Sequence, residues 1–178
     1  MQEEYLDIVD ENGNLTGEKE LRSVVHAKGL WHWVAGVYFY RLNRNRIELI
    51  VNLRSKNKDH HPNEWMPRFG GHVESRSTIE ETAIKEIREE IGIIINQKDL
   101  IIGIKKVHNN PNNREIGRVF YYNFNDNINK LSFDDGEVQE VKWMSEDEII
   151  ESMDNYPEIW ASKKTGFIND LMDLKSKI

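Results

Sequence analysis

Apolar positions along the chain follow two rhythms. From Leu30 to Tyr40 the run LWHWVAGVYFY is rich in aromatic and β-branched residues and predicts a core strand. From Ile47 to Arg54, Ile47, Leu49, Val51 and Leu53 alternate with Glu48 and Asn52, the period of a strand. Segments 98–107 and 116–124 predict two more strands, with the polar stretch His108 to Arg114 as the turn between them, and 137–143 predicts another. Residues 4–17 predict a hairpin turning at Asn12-Gly13, and 21–28 a short helix or irregular turn ended by Gly29. The helical rhythm is clearest at Ile84, Ile87 and Ile91, with Ala83 beside them. Ser77 or Thr78 can cap that helix, each being followed three residues later by Glu80 or Glu81, and Gly92 ends it. A second helix is predicted from about Ser145 to Met153, and a third from Glu158 to Lys177 with Gly166 bending or interrupting it. These elements predict an α/β/α sandwich around a mixed β-sheet. The expectation is one domain over 1–178, with 1–30 as hairpin and lead-in and 158–177 as a carboxy-terminal helix.

Composition narrows the class. A chain of 178 residues, 38% hydrophobic and 31% charged, suits one globular core. No apolar run reaches the length of a membrane span, and the start MQEEYLDIVD lacks a basic region followed by an apolar one, so a cytoplasmic location is expected. The formal net charge of −7 argues against duplex nucleic acid as the main partner. It leaves small phosphorylated substrates open, because a bound metal overrides global charge locally. The absence of cysteine excludes disulfides, thiolate metal ligands and thiol nucleophiles.

The helix of isoleucines carries the candidate chemistry. Glu86, Glu89 and Glu90 share a face pointing away from the isoleucine stripe. Clustered glutamates repel by a few tenths of a kcal/mol per pair, so the face is either fully solvated or holds a counterion. Magnesium or manganese fits, since hard cations take oxygen ligands and bridge carboxylates to phosphate. Gly70 and Gly71 allow a close backbone approach just before the helix, whose start can itself favour an anion. Arg54, Lys56 and Lys58 form a basic run that reads either as a surface loop or as a grip on substrate phosphates. His26 and His32 flank the start of the core strand as structural or metal-bound histidines.

The stretch GGHVESRSTIEETAIKEIREEIGI, Gly70 to Ile93, resembles the Nudix box, spanning 70–93 here. That pattern is a glycine, five residues, a glutamate, seven residues, then Arg-Glu-hydrophobic-x-Glu-Glu-x-Gly-hydrophobic. Gly71, Glu86, Ile87, Glu89, Glu90, Gly92 and Ile93 fall in register; Ser77 replaces the first glutamate and Lys85 the arginine. The resemblance implies a Nudix fold and a hydrolase that cuts a diphosphate linkage in a nucleoside diphosphate derivative or similar small organic diphosphate. It implies magnesium or manganese on Glu86, Glu89 and Glu90, and catalytic roles for Glu89, Glu86, Lys85 and Glu115. Arg54, Gly70, Gly71 and Trp65 become the expected substrate contacts, while the oligomeric state stays open, a homodimer being common in similar proteins. Glu115 and Glu137 are the proton acceptors weighed outside the helix, Glu137 also reading as a solvated strand end. Lysine cannot reproduce the planar fork of arginine, so altered hydrolysis or a non-catalytic ligand-binding domain is the alternative.

A narrower resemblance joins DENGNLTGEKELRSVVHAKGLWHW and the spacing from Trp65 to Gly71-His72 to type I isopentenyl diphosphate isomerases and related Nudix hydrolases. It matches His26, His32 and His72 to metal-binding histidines and Glu115 to a metal-associated glutamate. The isomerase cysteine position falls at Gly70, and Asn113 stands where another metal glutamate is expected. Without a thiol the isomerase proton relay cannot be assembled, which favours diphosphate cleavage.

Overall fold

The apolar run after Leu30 forms the long strand β3 (His32–Asn43) of a computed structural model that describes residues 4–58, 60–111, 113–134 and 136–178. It alternates between two cores. Ala35, Val37 and Phe39 point to one face with Ala83, Ile87 and Ile91; Tyr38 and Tyr40 point to the other with Phe167, Leu171 and Leu174. Burial on both faces explains why the run is continuously apolar.

A small sheet of β1 (Tyr5–Val9) and β2 (Leu15–Leu21) precedes the short helix α1 (Arg22–Lys28). Next come β3, β4 (Arg46–Arg54), the two-residue β5 (Trp65–Met66), the box helix α2 (Ile79–Ile91), β6 (Leu100–Asn110) and β7 (Asn113–Asn123). β8 (Val138–Ser145), α3 (Glu146–Asn155) and α4 (Lys164–Lys175) complete the chain. The main sheet runs β5-β4-β3-β7-β6 with β8 on β4; β3 and β7 are parallel and the other pairings antiparallel. With α2 on one face and α3 and α4 on the other, this is the expected sandwich around a mixed sheet.

Several expectations needed correction. Ile50 is fully buried among the α2-side residues, so β4 is covered on both faces despite its period-two pattern. The polar segment His108 to Arg114 is mostly strand, because β6 and β7 stay paired out to Asn110↔Asn113; Asn112 lies outside the described residues. Thr78, not Ser77, caps α2, accepting from Glu81 N at 3.1 Å while Glu81 returns a bond to Thr78 N. The terminal helix begins at Lys164 after a 3-10 turn at Pro157–Ile159, and Gly166 sits in its first turn without interrupting it.

The sheet is split where the site forms. The end of β3 pairs with β4 through Tyr40↔Leu49, but its beginning pairs with the segment before α2. There Val37 and Phe69 exchange hydrogen bonds of 2.8 and 3.0 Å, and Ala35 N donates to Gly71 O at 2.9 Å. The far half of β4 turns to β5 instead, and Asn52 Nδ2 ties the two lips by donating to Met66 O at 3.1 Å and Arg68 O at 2.8 Å. A cleft of about 2070 Å³ lies at this split.

Candidate active site

α2 delivers its carboxylates into the cleft because its isoleucines fix its rotation. Ile87 and Ile91 are fully buried against the sheet, which turns Glu86, Glu89 and Glu90 toward the segment 69–72. Glu90 is only 5% exposed and accepts a hydrogen bond from Gly70 N at 3.1 Å. Glu86 lies against Gly71 so closely that a Cβ there would stand 2.6 Å from its Oε2. Glu89 is the solvent-facing member, with 44% of its side chain exposed.

Electrostatics follow from this burial. Desolvation, then the charges of Glu137 and Glu89, pushes Glu86 up to about 7. Glu90 is raised well above the ordinary carboxylate range by burial and by Glu86. Glu137, from the edge of β8, bonds Lys58 and contributes to raising both. Oxygen donors held together at this cost in desolvation and repulsion match a hard divalent cation, which removes both penalties on binding. The donor chemistry of Glu86 and Glu90, which carry that cost, suits such an ion.

The remaining expected residues divide. Lys85 bonds Glu74 and comes within 3.9 Å of Glu89, so the lysine ties the helix to the preceding loop. Arg54 lines the cleft and donates through Nη2 to His60 O at 3.0 Å, while its Nε is buried without a partner. Gly70 and Gly71 line the cleft. Trp65 does not: its ring lies beneath Lys142, whose Nζ is 3.9 Å from the ring centre, and it packs with the α3 and α4 core. Glu115 lines the cleft beside the histidines, 4.0 Å from His32 Nε2.

Those histidines make a second donor set. His26 on α1, His32 opening β3 and His72 after the double glycine offer nitrogens all within 4.8 Å of one another. His26 Nε2 and His72 Nε2 are 3.2 Å apart. His32 Nδ1 bonds Leu30 O at 3.0 Å, which makes Nδ1 the protonated nitrogen and leaves the Nε2 lone pair buried without a partner. Burial above all, then the repulsion that a charged His32 or the Arg22 guanidinium would exert on a second cation, holds His72 down to about 2, so its imidazole is neutral and able to ligate. Sequence reasoning missed Glu4, 3.6 Å from His72, and Glu74, because only tertiary contact brings them to the site.

The fold, the split sheet and the carboxylate helix define a Nudix domain, and the NUDIX domain profile matches residues 30–164. The chain belongs to the Nudix family and is a Nudix-type hydrolase, a class that uses divalent metal ions. An uncharacterized Nudix hydrolase of Clostridium acetobutylicum is 33% identical over 159 residues, covering 87% of this chain and 76% of the relative. An isopentenyl-diphosphate Delta-isomerase of Photobacterium profundum is 28% identical over 92 residues, 52% of this chain and 51% of its own. Other curated relatives are spanned over only 12% to 53% of their lengths. A crystal structure from Deinococcus radiodurans has the same fold, with TM-score 0.67 and 22% identity over 86% of this chain and 90% of that one. Among the described residues no helix is long and apolar enough to cross a membrane.

Proposed function

We propose that this Nudix domain hydrolyses a diphosphate linkage in a nucleoside diphosphate derivative or similar organic diphosphate, with magnesium or manganese held by Glu86, Glu89 and Glu90. The observation that carries this reading is the pair of carboxylates, half-buried Glu86 and buried Glu90, set against the Gly70–Gly71 backbone in a cleft that also exposes Arg54 and Lys58. When bound, the cation neutralises phosphate charge and acidifies a ligated water. Arg54 and Lys58 orient the phosphate chain. Gly70 and Gly71 let the backbone come close to it. Glu89, the exposed carboxylate, accepts the proton of the attacking water; Glu137 is the second acceptor within the same cluster. A screen of nucleoside diphosphate sugars, dinucleotides and prenyl diphosphates with each metal, reading released phosphate, tests the reading. Turnover that vanishes in chelator and in Glu89→Gln supports it; metal-independent turnover contradicts it.

Lys85→Arg is expected to hydrolyse as fast as the natural chain or faster. The guanidinium fork can bond Glu74 and Glu89 together, where the ammonium reaches Glu89 only at 3.9 Å. Steady-state kinetics check this, and a clear loss of kcat would give the lysine a role of its own.

The histidine triad favours a second reading, an isomerase-like use of prenyl diphosphates, and the Photobacterium isomerase is its nearest support among the relatives described. No thiol is present anywhere in the sequence, and Asn113 bonds Glu115 at 2.8 Å in place of a second acid. Isopentenyl diphosphate incubated in heavy water is therefore expected to exchange no hydrogen; exchange at a catalytic rate would establish the isomerase instead.

A further inference from the structure

The cleft has a wall that the carboxylate chemistry leaves unused. On the α4 side of the sheet it is lined by Arg68, Lys106 and Lys163. Two of these cations converge on one buried anion. Lys106 Nζ donates to Asp170 Oδ2 at 2.6 Å and to Gly166 O at 3.3 Å, which accounts for two of its three protons. Tyr38 OH donates to the same Asp170 oxygen at 2.6 Å, and the Arg68 guanidinium interacts with Tyr38 and with the Asp170 charge. Asp170 is 1% exposed and does not line the cleft. Its charge therefore lies behind the wall, while the cations it anchors face the space in front.

The backbone makes room for this arrangement. A Cβ on Gly36 would stand 2.8 Å from Arg68 Cδ, so glycine is what lets the arginine lie along β3. Gly36 and Gly117 lie in the floor between the two walls. One cleft thus has an acidic wall suited to a cation with its diphosphate and a basic wall with no diphosphate to hold.

We propose that Arg68 and Lys106, anchored by Asp170, form a subsite for an oxyanion, a phosphate ester or a carboxylate, carried on the part of the substrate that is not cleaved. The word substrate rests on the hydrolase reading; the anion subsite does not. Preferred substrates are then diphosphates bearing a second anionic group on their organic half, and the subsite acts on KM more than on kcat.

The test is made in excess chelator, where no divalent cation can draw phosphate to Glu86 and Glu90. Titration of the whole chain with inorganic phosphate, followed by amide chemical shifts, is expected to saturate. Lys106→Met is expected to weaken binding about tenfold or more, Lys106→Arg to retain it, and Glu86→Gln to bind at least as tightly. Thermal unfolding establishes that each variant folds. Adenosine 3′,5′-bisphosphate serves as the organic probe and is expected to bind more tightly than phosphate, with the same dependence on Lys106. Binding untouched by Lys106→Met, or lost only in Arg54→Gln, overturns the subsite. Equal affinity for both probes overturns its assignment to an organic ligand. Saturable binding in a protein that hydrolyses no diphosphate keeps the subsite and removes the hydrolase reading, so the two fail separately.

Discussion

Glu86→Gln is expected to remove turnover by on the order of a hundredfold or more while making the metal-free protein more stable than the natural one. The two effects have one cause. In the natural chain Glu86 is raised from 4.5 to about 7 by burial and by neighbouring carboxylates, so the folded protein holds that proton more tightly than the unfolded chain does. Where the folded state binds more protons, stability falls as pH rises, here from about 4.5 to 7. At 1.36 kcal/mol per pH unit the loss is roughly 3 kcal/mol, and glutamine does not incur it. Removing Glu86 also relieves Glu90, which Glu86 helps to raise. His72 works in the opposite direction, since its folded value is depressed: its contribution is complete above about 6.5 and is lost as pH falls below it. That term is shared by both proteins and cancels in their difference. Denaturant unfolding in chelator at pH 5 and pH 8 measures the difference; the variant is expected to gain at pH 8 and to gain little at pH 5. An unchanged difference between the two pH values would mean that Glu86 is not under electrostatic strain.

Gly70→Ala is expected to lower stability by about 3 kcal/mol or more. The residue has φ of +144°, and an added Cβ would stand 2.0 Å from Ala35 O, a backbone atom that cannot turn aside. Relief requires pulling the segment 69–72 off β3, which breaks the Ala35–Gly71 bond and moves the amide that Glu90 accepts from. In a domain of this size the midpoint of thermal unfolding should drop by roughly 10 °C. Gly71→Ala separates the two functions of the segment. It meets the Glu86 carboxylate, a side chain that can shift, so it is expected to fold nearly normally and to lose activity. A Gly70→Ala protein as stable as the natural one would remove the close approach from the description of the site.

The carboxylate helix was legible because its chemistry is local. Spacing within one helix gathered Glu86, Glu89 and Glu90 and set Glu86 and Glu89 off the buried stripe, although Glu90 turned out to be buried beside Ile87 and Ile91; capping residues and Gly92 marked the helix ends. The six-residue span from Leu100 to Lys105 shows why strands were harder. Gly103 and the register shift between Ile102 and Lys105 break the alternation on which a period-two reading depends. Paired backbone also overrode polar composition at His108 to Asn110, where ladder hydrogen bonds do not depend on side-chain type. The site's second half was illegible for a different reason. Lys106, Asp170 and Tyr38 meet across 64 and 132 residues of sequence, and no short spacing announces such a junction. Trp65 lies beneath Lys142 on β8, a contact across the sheet that no spacing within its own loop encodes.

Titration of manganese followed by electron paramagnetic resonance, on the natural chain, on Glu86→Gln/Glu90→Gln and on His32→Ala, bears most directly on the carboxylate centre. Saturable binding that the double glutamine variant loses by about tenfold or more, and that His32→Ala retains, is the expected result. Manganese that binds the double variant as tightly as the natural chain, or binds neither, would contradict a cation held by the carboxylates of α2.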